Sequence, residues 1–166
     1  MSKKPNANAK DAKDGKTVIK VLARNKRARH DYQVSETLEA GLALVGSEVK
    51  SIRDGKVNLT DAYADVAKGE VWLHQMDVNT YVWAHVRNHE PRRRRKLLLN
   101  RREIDRIDGK LRQKGFTLVP LSIYDKGGKI KIEIALVTGK QDWDRREDLK
   151  KSDATREIDR AMSRRR

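Results

Sequence analysis

The chain has 166 residues, with 39 Lys and Arg against 24 Asp and Glu and a net charge of +15. That length holds one domain with a sizeable core and short tails. The surplus self-repels unless a polyanion, nucleic acid or an acidic membrane surface, offsets it. With no cysteine, disulfides, cysteine-ligated zinc and thiol chemistry are excluded. No apolar run approaches the roughly 18 residues of a membrane span, so a soluble cytoplasmic protein is expected.

Residues 1–17 are mostly Lys, Asn, Ala, Asp and Gly, with no apolar run. They are expected to be a disordered basic arm rather than a secretory signal. Val18, Ile19, Val21 and Leu22 are the first apolar group. Arg24 to His30 then places five basic or imidazole side chains in seven residues, a cluster suited to phosphate. Val34 to Val45 reads as a strand, with a bulge or bend expected around Gly41. Ser47 to Asp54 reads as a short helix stopped by Gly55. Tyr63–Val66 and Val71–Gln75 flank Lys68-Gly69, a hairpin turn.

Residues 77–92 show no period and read as a loop, which Arg92 to Arg95 prolong. Leu97 to Leu99 reads as a short strand. Asn100 followed by Glu103 has the spacing of a capping box. Ile104, Ile107 and Leu111 then form one helical stripe. Thr117–Tyr124 and Ile130–Val137 read as a hairpin about Lys126-Gly127-Gly128. Alternation in its second strand puts Ile130, Ile132 and Ile134 inward and Lys131 outward. Several strands, two helices and no βαβ alternation predict a mainly β domain over 18–139: an OB-like closed antiparallel β-barrel with packed helices. Residues 140–166 carry few aliphatics and many charges, and are expected to be a basic C-terminal tail, unstructured alone and helical when bound.

Catalytic patterns are scarce. His85 and His89 have an i, i+4 spacing but lack the glutamate of a zinc-protease helix and lie close to Pro91; two ordinary histidines are the simpler reading. Asp61 and Asp65, placed in a strand, read as a solvated face rather than an acid–base pair. No phosphate-binding loop, nucleophile elbow or dinucleotide fingerprint occurs. No enzyme, metal or cofactor is therefore expected. With three Trp, four Tyr and one Phe, stacking of many single-stranded bases is not the expected mode. A folded RNA read by backbone and shape fits better.

The blocks NKRARHDY, EAGLALVGSEVKSIRDGKVNL, DAYADV, RKLLLNRREIDRI, GFTLVPLSIY and GKQDWDRRE follow one another in this order. Together they resemble the SsrA-binding protein family, small protein B, over roughly residues 18–160. The resemblance implies a protein that binds the tRNA-like domain of transfer-messenger RNA (tmRNA). It implies delivery of that RNA to ribosomes stalled with an empty A site. Elongation factor Tu would be met through the aminoacylated RNA. It also implies RNA contacts at Glu39, Leu98 and Lys131, and less directly at Asn25, Arg27 and His30. The family's tail pattern falls on Gly139, Lys140 and Asp144-Arg145-Arg146, and implies a tail that is helical on the ribosome, in the vacant decoding centre and mRNA path. Gln141 stands where the family has a lysine, and Arg145 where it has another, which exchanges a point charge for a planar fork. The alternatives are a generic basic OB-fold or ribosome-associated RNA binder, and a nuclease built on the histidine or aspartate pair.

Overall fold

The computed structural model describes residues 19–140, of 85–87 the backbone alone, and beyond them three helical residues, Arg156, Arg160 and Met162. The expected N-terminal disorder, and nearly all of the expected tail including Asp144, Arg145 and Arg146, lie outside the described residues.

The described chain is mainly β. Its elements are β1 (Ile19–Arg24), α1 (Lys26–Asp31), β2 (Tyr32–Leu42), α2 (Gly46–Arg53), β3 (Val57–Asn58), β4 (Tyr63–Ala67) and β5 (Glu70–His74). There follow β6 (Asp77–Val78), a 3₁₀ turn (Val82–Arg87), β7 (Arg95–Leu98), α3 (Arg101–Leu111), β8 (Phe116–Lys126) and β9 (Lys129–Gly139). All pairings are antiparallel. The main sheet runs β1-β8-β4-β5-β7-β2-β9, and β9 pairs with β8 as well; β3 and β6 form a separate small ladder.

Alternation drives the sheet. In β9 Ile132, Ile134 and Leu136 are buried, and in β5 Val71 and Leu73 are buried on either side of the outward Trp72. These side chains meet Ile52 of α2 and Ile104 and Ile107 of α3 in one core. Each such aliphatic contributes about 1.5–3 kcal/mol by leaving water. The stripe expected on α3 is the face that packs against β8 and β4. Glu103 accepts the Asn100 backbone N–H at 2.9 Å, which fixes where the helix starts. Lys68 and Gly69 both take positive φ in the β4–β5 hairpin, the paired left-handed geometry of a tight turn.

Four expectations change. RNKRARH contains α1, a helix that a search for apolar periodicity misses because Ala28 is its one buried side chain. Residues 77–92 hold β6 and a 3₁₀ turn rather than a plain loop, and Arg95 belongs to β7. Asp61 lies in a turn, and β4 starts at Tyr63. The register irregularity in β2 falls between Val34 and Glu36, not at Gly41. Gly41 has a different cause: a Cβ there would stand 3.2 Å from the Leu98 Cβ. It lets β2 approach β7 where Gly41 pairs with Leu98 and also with Lys131. Among the described residues no helix is long and apolar enough to cross a membrane.

Candidate nucleic-acid interface

The strand β7 carries the centre of the site. Its inward residues are Arg95 and Leu97; its outward residues are Lys96 and Leu98. Leu98 is 53% exposed, a large apolar side chain left in water on a highly charged surface. Beside it runs a groove of about 620 Å³ lined by Glu39, Lys96, Leu98, Asn100 and Lys131, among others. The three residues that the resemblance singles out, from β2, β7 and β9, thus face one depression.

Glu39 is the hub. Its carboxylate accepts the Tyr124 hydroxyl at 2.6 Å and the Lys126 ammonium at 2.9 and 3.2 Å. The Lys131 Nζ stands 3.9 Å away. The Tyr124 bond above all, then the lysines, hold the Glu39 carboxyl below the usual carboxylate range despite some burial. Burial and the Glu39 carboxylate push the Tyr124 phenol upward, so it remains a donor throughout the ordinary pH range. The acid therefore gathers two lysines and a phenol at one place. All three partners lie on strands far from it in sequence, so spacing alone gave no signal of the cluster.

What fixes β7 is buried. Arg95 and Glu48 are both fully inaccessible, and Arg95 Nε donates to Glu48 Oε1 at 2.8 Å. Arg95 also donates to the carbonyls of Met76, Arg93 and Pro91. Arg93 donates to both Glu48 oxygens, at 2.8 and 2.5 Å. Glu48 further accepts the Val45 N–H at 2.9 Å and so caps α2. Arg92 pairs with Asp77 at the surface. The arginine run is thus divided: one side chain is core, two are spent on acids, and Arg94 alone points outward with no acidic partner among the described residues.

These bonds give a pH dependence. Burial pushes the Glu48 carboxyl up, but the Arg93 hydrogen bonds, the Val45 N–H and the arginine charges outweigh it, and the group lies below its ordinary value. Glu36, held chiefly by Lys110 and also by Arg106, is lowered too, as is Asp31, held chiefly by His30. A carboxyl depressed in the folded state stabilises above its unfolded pKa and loses that contribution as pH falls through the folded value. Urea midpoints should therefore stay level from neutral pH to about pH 5 and fall steadily below about pH 4. A midpoint unchanged at pH 3 would contradict these pairings.

A second basic surface lies at α1. Asn25 is buried: its Oδ1 accepts the Ala28 N–H and its Nδ2 donates to the Leu59 carbonyl. Its side chain is thus used to cap and anchor the helix. Arg27 and His30 are exposed and share Asp31, at 3.0 and 2.8 Å. Arg27 also borders a hollow of about 400 Å³ that includes Tyr63 and Thr60. The tail leaves beside this helix. Gly139 pairs with Tyr32, the Lys140 N–H donates to the Asp31 carbonyl, and its Nζ donates to the Arg29 carbonyl. The structure therefore separates the candidate residues into two groups, the groove with Glu39, Leu98 and Lys131, and the α1 face with Asn25, Arg27, His30, Gly139 and Lys140.

Of the His85 and His89 pair, the His85 side chain lies outside the described residues. His89 is buried with Nδ1 2.9 Å from the Ser47 hydroxyl and Nε2 3.0 Å from the Val78 carbonyl, so both ring nitrogens are used to hold the 77–92 segment against α2. Asp65 is bonded to His74, not to Asp61.

Comparison with known proteins places this geometry. Residues 22–164 match the family model described as SmpB protein. The SsrA-binding protein of Mycolicibacterium gilvum (strain PYR-GCK) is 51% identical over 165 residues, covering 99% of this chain and 96% of its own. That of Geobacillus thermodenitrificans (strain NG80-2) is 53% identical over 143 residues, covering 86% and 92%. A solved structure described as "tmRNA-SmpB: a journey to the center of the bacterial ribosome" is 47% identical, with a TM-score of 0.62 over 72% of this chain and 85% of that one.

Proposed function

The chain belongs to the SmpB protein family, and on that premise we propose that it binds tmRNA and acts with it in trans-translation on the ribosome. The single structural observation that carries this reading is the groove in which Glu39, Leu98 and Lys131, three separate strands apart, face one depression. In this reading the groove takes the tRNA-like domain. The lysines meet phosphates, Leu98 packs on a ribose or base, and Glu39 accepts base or ribose hydrogens while holding its donors in place. The protein works as a binding partner rather than an enzyme, in the cytoplasm where ribosomes are.

The finer parts rest on the same premise. The sheet is read as an OB-like closed barrel over 18–139, supported by a pairing order in which β9 returns to β8. Arg27 and His30, presented by the α1 that Asn25 anchors, serve ribosomal or transfer-messenger RNA. Gly139 and Lys140 root the 140–166 tail at that helix. Asp144, Arg145 and Arg146 then act in the vacant decoding centre and mRNA path. Elongation factor Tu is met through the aminoacylated RNA.

The test has two arms. Full-length protein should prefer a tRNA-like-domain RNA over an ordinary tRNA and an unrelated hairpin at about 150 mM salt, where nonspecific phosphate binding is weakened. A chain ending at Lys140 should retain that preference but lose peptide tagging on ribosomes stalled without a stop codon. Equal binding to all three RNAs would instead point to a generic basic RNA binder.

A further inference from the structure

Arg94 is the one member of the arginine run with no acidic partner among the described residues. It is exposed, and its guanidinium carbon lies 5.1 Å from the centre of the Trp72 ring. Trp72 is on β5, between the buried Val71 and Leu73, so its ring is on the outer face. Directly across from it on β7 is Lys96, which already lines the groove and is bonded to Glu70. Arg94 immediately precedes β7, on which Lys96 and Leu98 point outward. The Trp72–Arg94 pair therefore lies next to a residue that lines the groove. On the other side of Trp72, Asp65 is its cross-strand partner and is held by His74.

The pair has the form of a nucleotide seat. An arginine free in solvent samples many rotamers, and ordering it on RNA carries an entropic cost. Laid against an indole it is restrained by cation–π attraction. It keeps a flat cationic face on which a base can stack and N–H edges that a phosphate can accept. With no carboxylate on it among the described residues, its charge is not neutralised. On a chain with net charge +15, the complementary occupant is a polyanion with planar groups.

We propose that the Trp72–Arg94 pair is a seat for an unpaired nucleotide of the bound RNA, which extends the groove along the outer face of β7 and β5. This rests on the tmRNA reading of the groove and adds a contact outside it. The seat makes no use of the α1 surface.

The experiment measures equilibrium binding of full-length protein to the tRNA-like-domain RNA over a salt series, for wild type, Arg94→Gln, Trp72→Leu, Trp72→Phe and Lys131→Ala. Arg94→Gln changes an exposed side chain and keeps the fold. Its affinity should fall about 5- to 10-fold, the lower end of the range for one stacked base. Trp72→Leu should fall by a similar factor, and Trp72→Phe, which keeps a ring under the guanidinium, should recover most of it. The double variant Arg94→Gln/Trp72→Leu should be little worse than either single change, because the two act as one unit. If Arg94→Gln binds as wild type while Lys131→Ala is weakened, the seat is wrong and the groove stands. If wild type shows no preference for this RNA over an ordinary tRNA, the reading of the groove fails and the seat fails with it.

Discussion

Replacing Glu48 by alanine should cost about 3–5 kcal/mol of folding stability, because it leaves the fully buried Arg95 without its counter-charge. For a domain of this size that lowers the thermal midpoint by roughly 10–15 °C. The geometry also predicts an order among the variants. Arg95→Met should cost less than Glu48→Ala, since Glu48 keeps Arg93 and the Val45 N–H. Arg93→Ala should cost least, about 1 kcal/mol, as its side chain is 30% exposed and water can serve part of the carboxylate. Joint replacement, Glu48→Met with Arg95→Met, should recover only part of the loss. The carbonyls of Met76 and Arg93 would still lack the donor that Arg95 supplies. Urea titration of the four variants reads the order directly. Equal losses for Glu48→Ala and Arg93→Ala would show that Arg95 is not the group at stake.

Removing the acid from the groove should weaken RNA binding, contrary to simple charge counting. Glu39→Ala raises the net charge by one, so bulk electrostatics predicts tighter binding to any RNA. The structure predicts the opposite for the specific RNA. Without Glu39, Tyr124 and Lys126 lose the carboxylate that holds them, and Lys131 loses its neighbour. Affinity for the tRNA-like domain should drop roughly 10- to 100-fold, the equivalent of one charged hydrogen bond at about 1.5–3 kcal/mol. Binding to an unrelated hairpin should hold or rise. Lys131→Ala should lose about 10-fold for the specific RNA, with a shallower salt dependence. Glu39→Ala with unchanged preference would make the acid a mere surface pair.

The contrast between these two carboxylates shows what the sequence could express. Positions decided by local alternation were legible. Lys131 outward and the Ile104–Ile107 stripe follow from periods of two and 3.6, and both are where the pattern puts them. The turns at Lys68-Gly69 and at 126–128 carried their own chemistry. Features decided by distant partners were not legible. Nothing near Arg95 distinguishes it from Arg94, because what buries it is a glutamate 47 residues earlier. The α1 helix was missed for a related reason: its cap bonds to Leu59 and its one buried residue, Ala28, joins a small cluster with Val119 and Leu121. The pairing of Glu39 with Tyr124 and Lys126 spans more than eighty residues. The resemblance supplied Glu39 as a position, and the fold supplied its partners.

The β2–β9 ladder has a mechanical consequence. Its pairing starts at Tyr32 with Gly139 and ends at Gly41 with Lys131, beside the groove. Those ends stand roughly 30 Å apart along the strand at the usual rise per residue. One two-stranded ladder therefore sets the span between the groove proposed to hold RNA and the proposed root of the tail. Its length is written as a number of residues, not as a contact at either end. Lengthening both strands by two residues would keep every side chain on its face. It would also displace one end from the other by about 7 Å, leaving both sites intact but wrongly spaced for a particle of fixed dimensions.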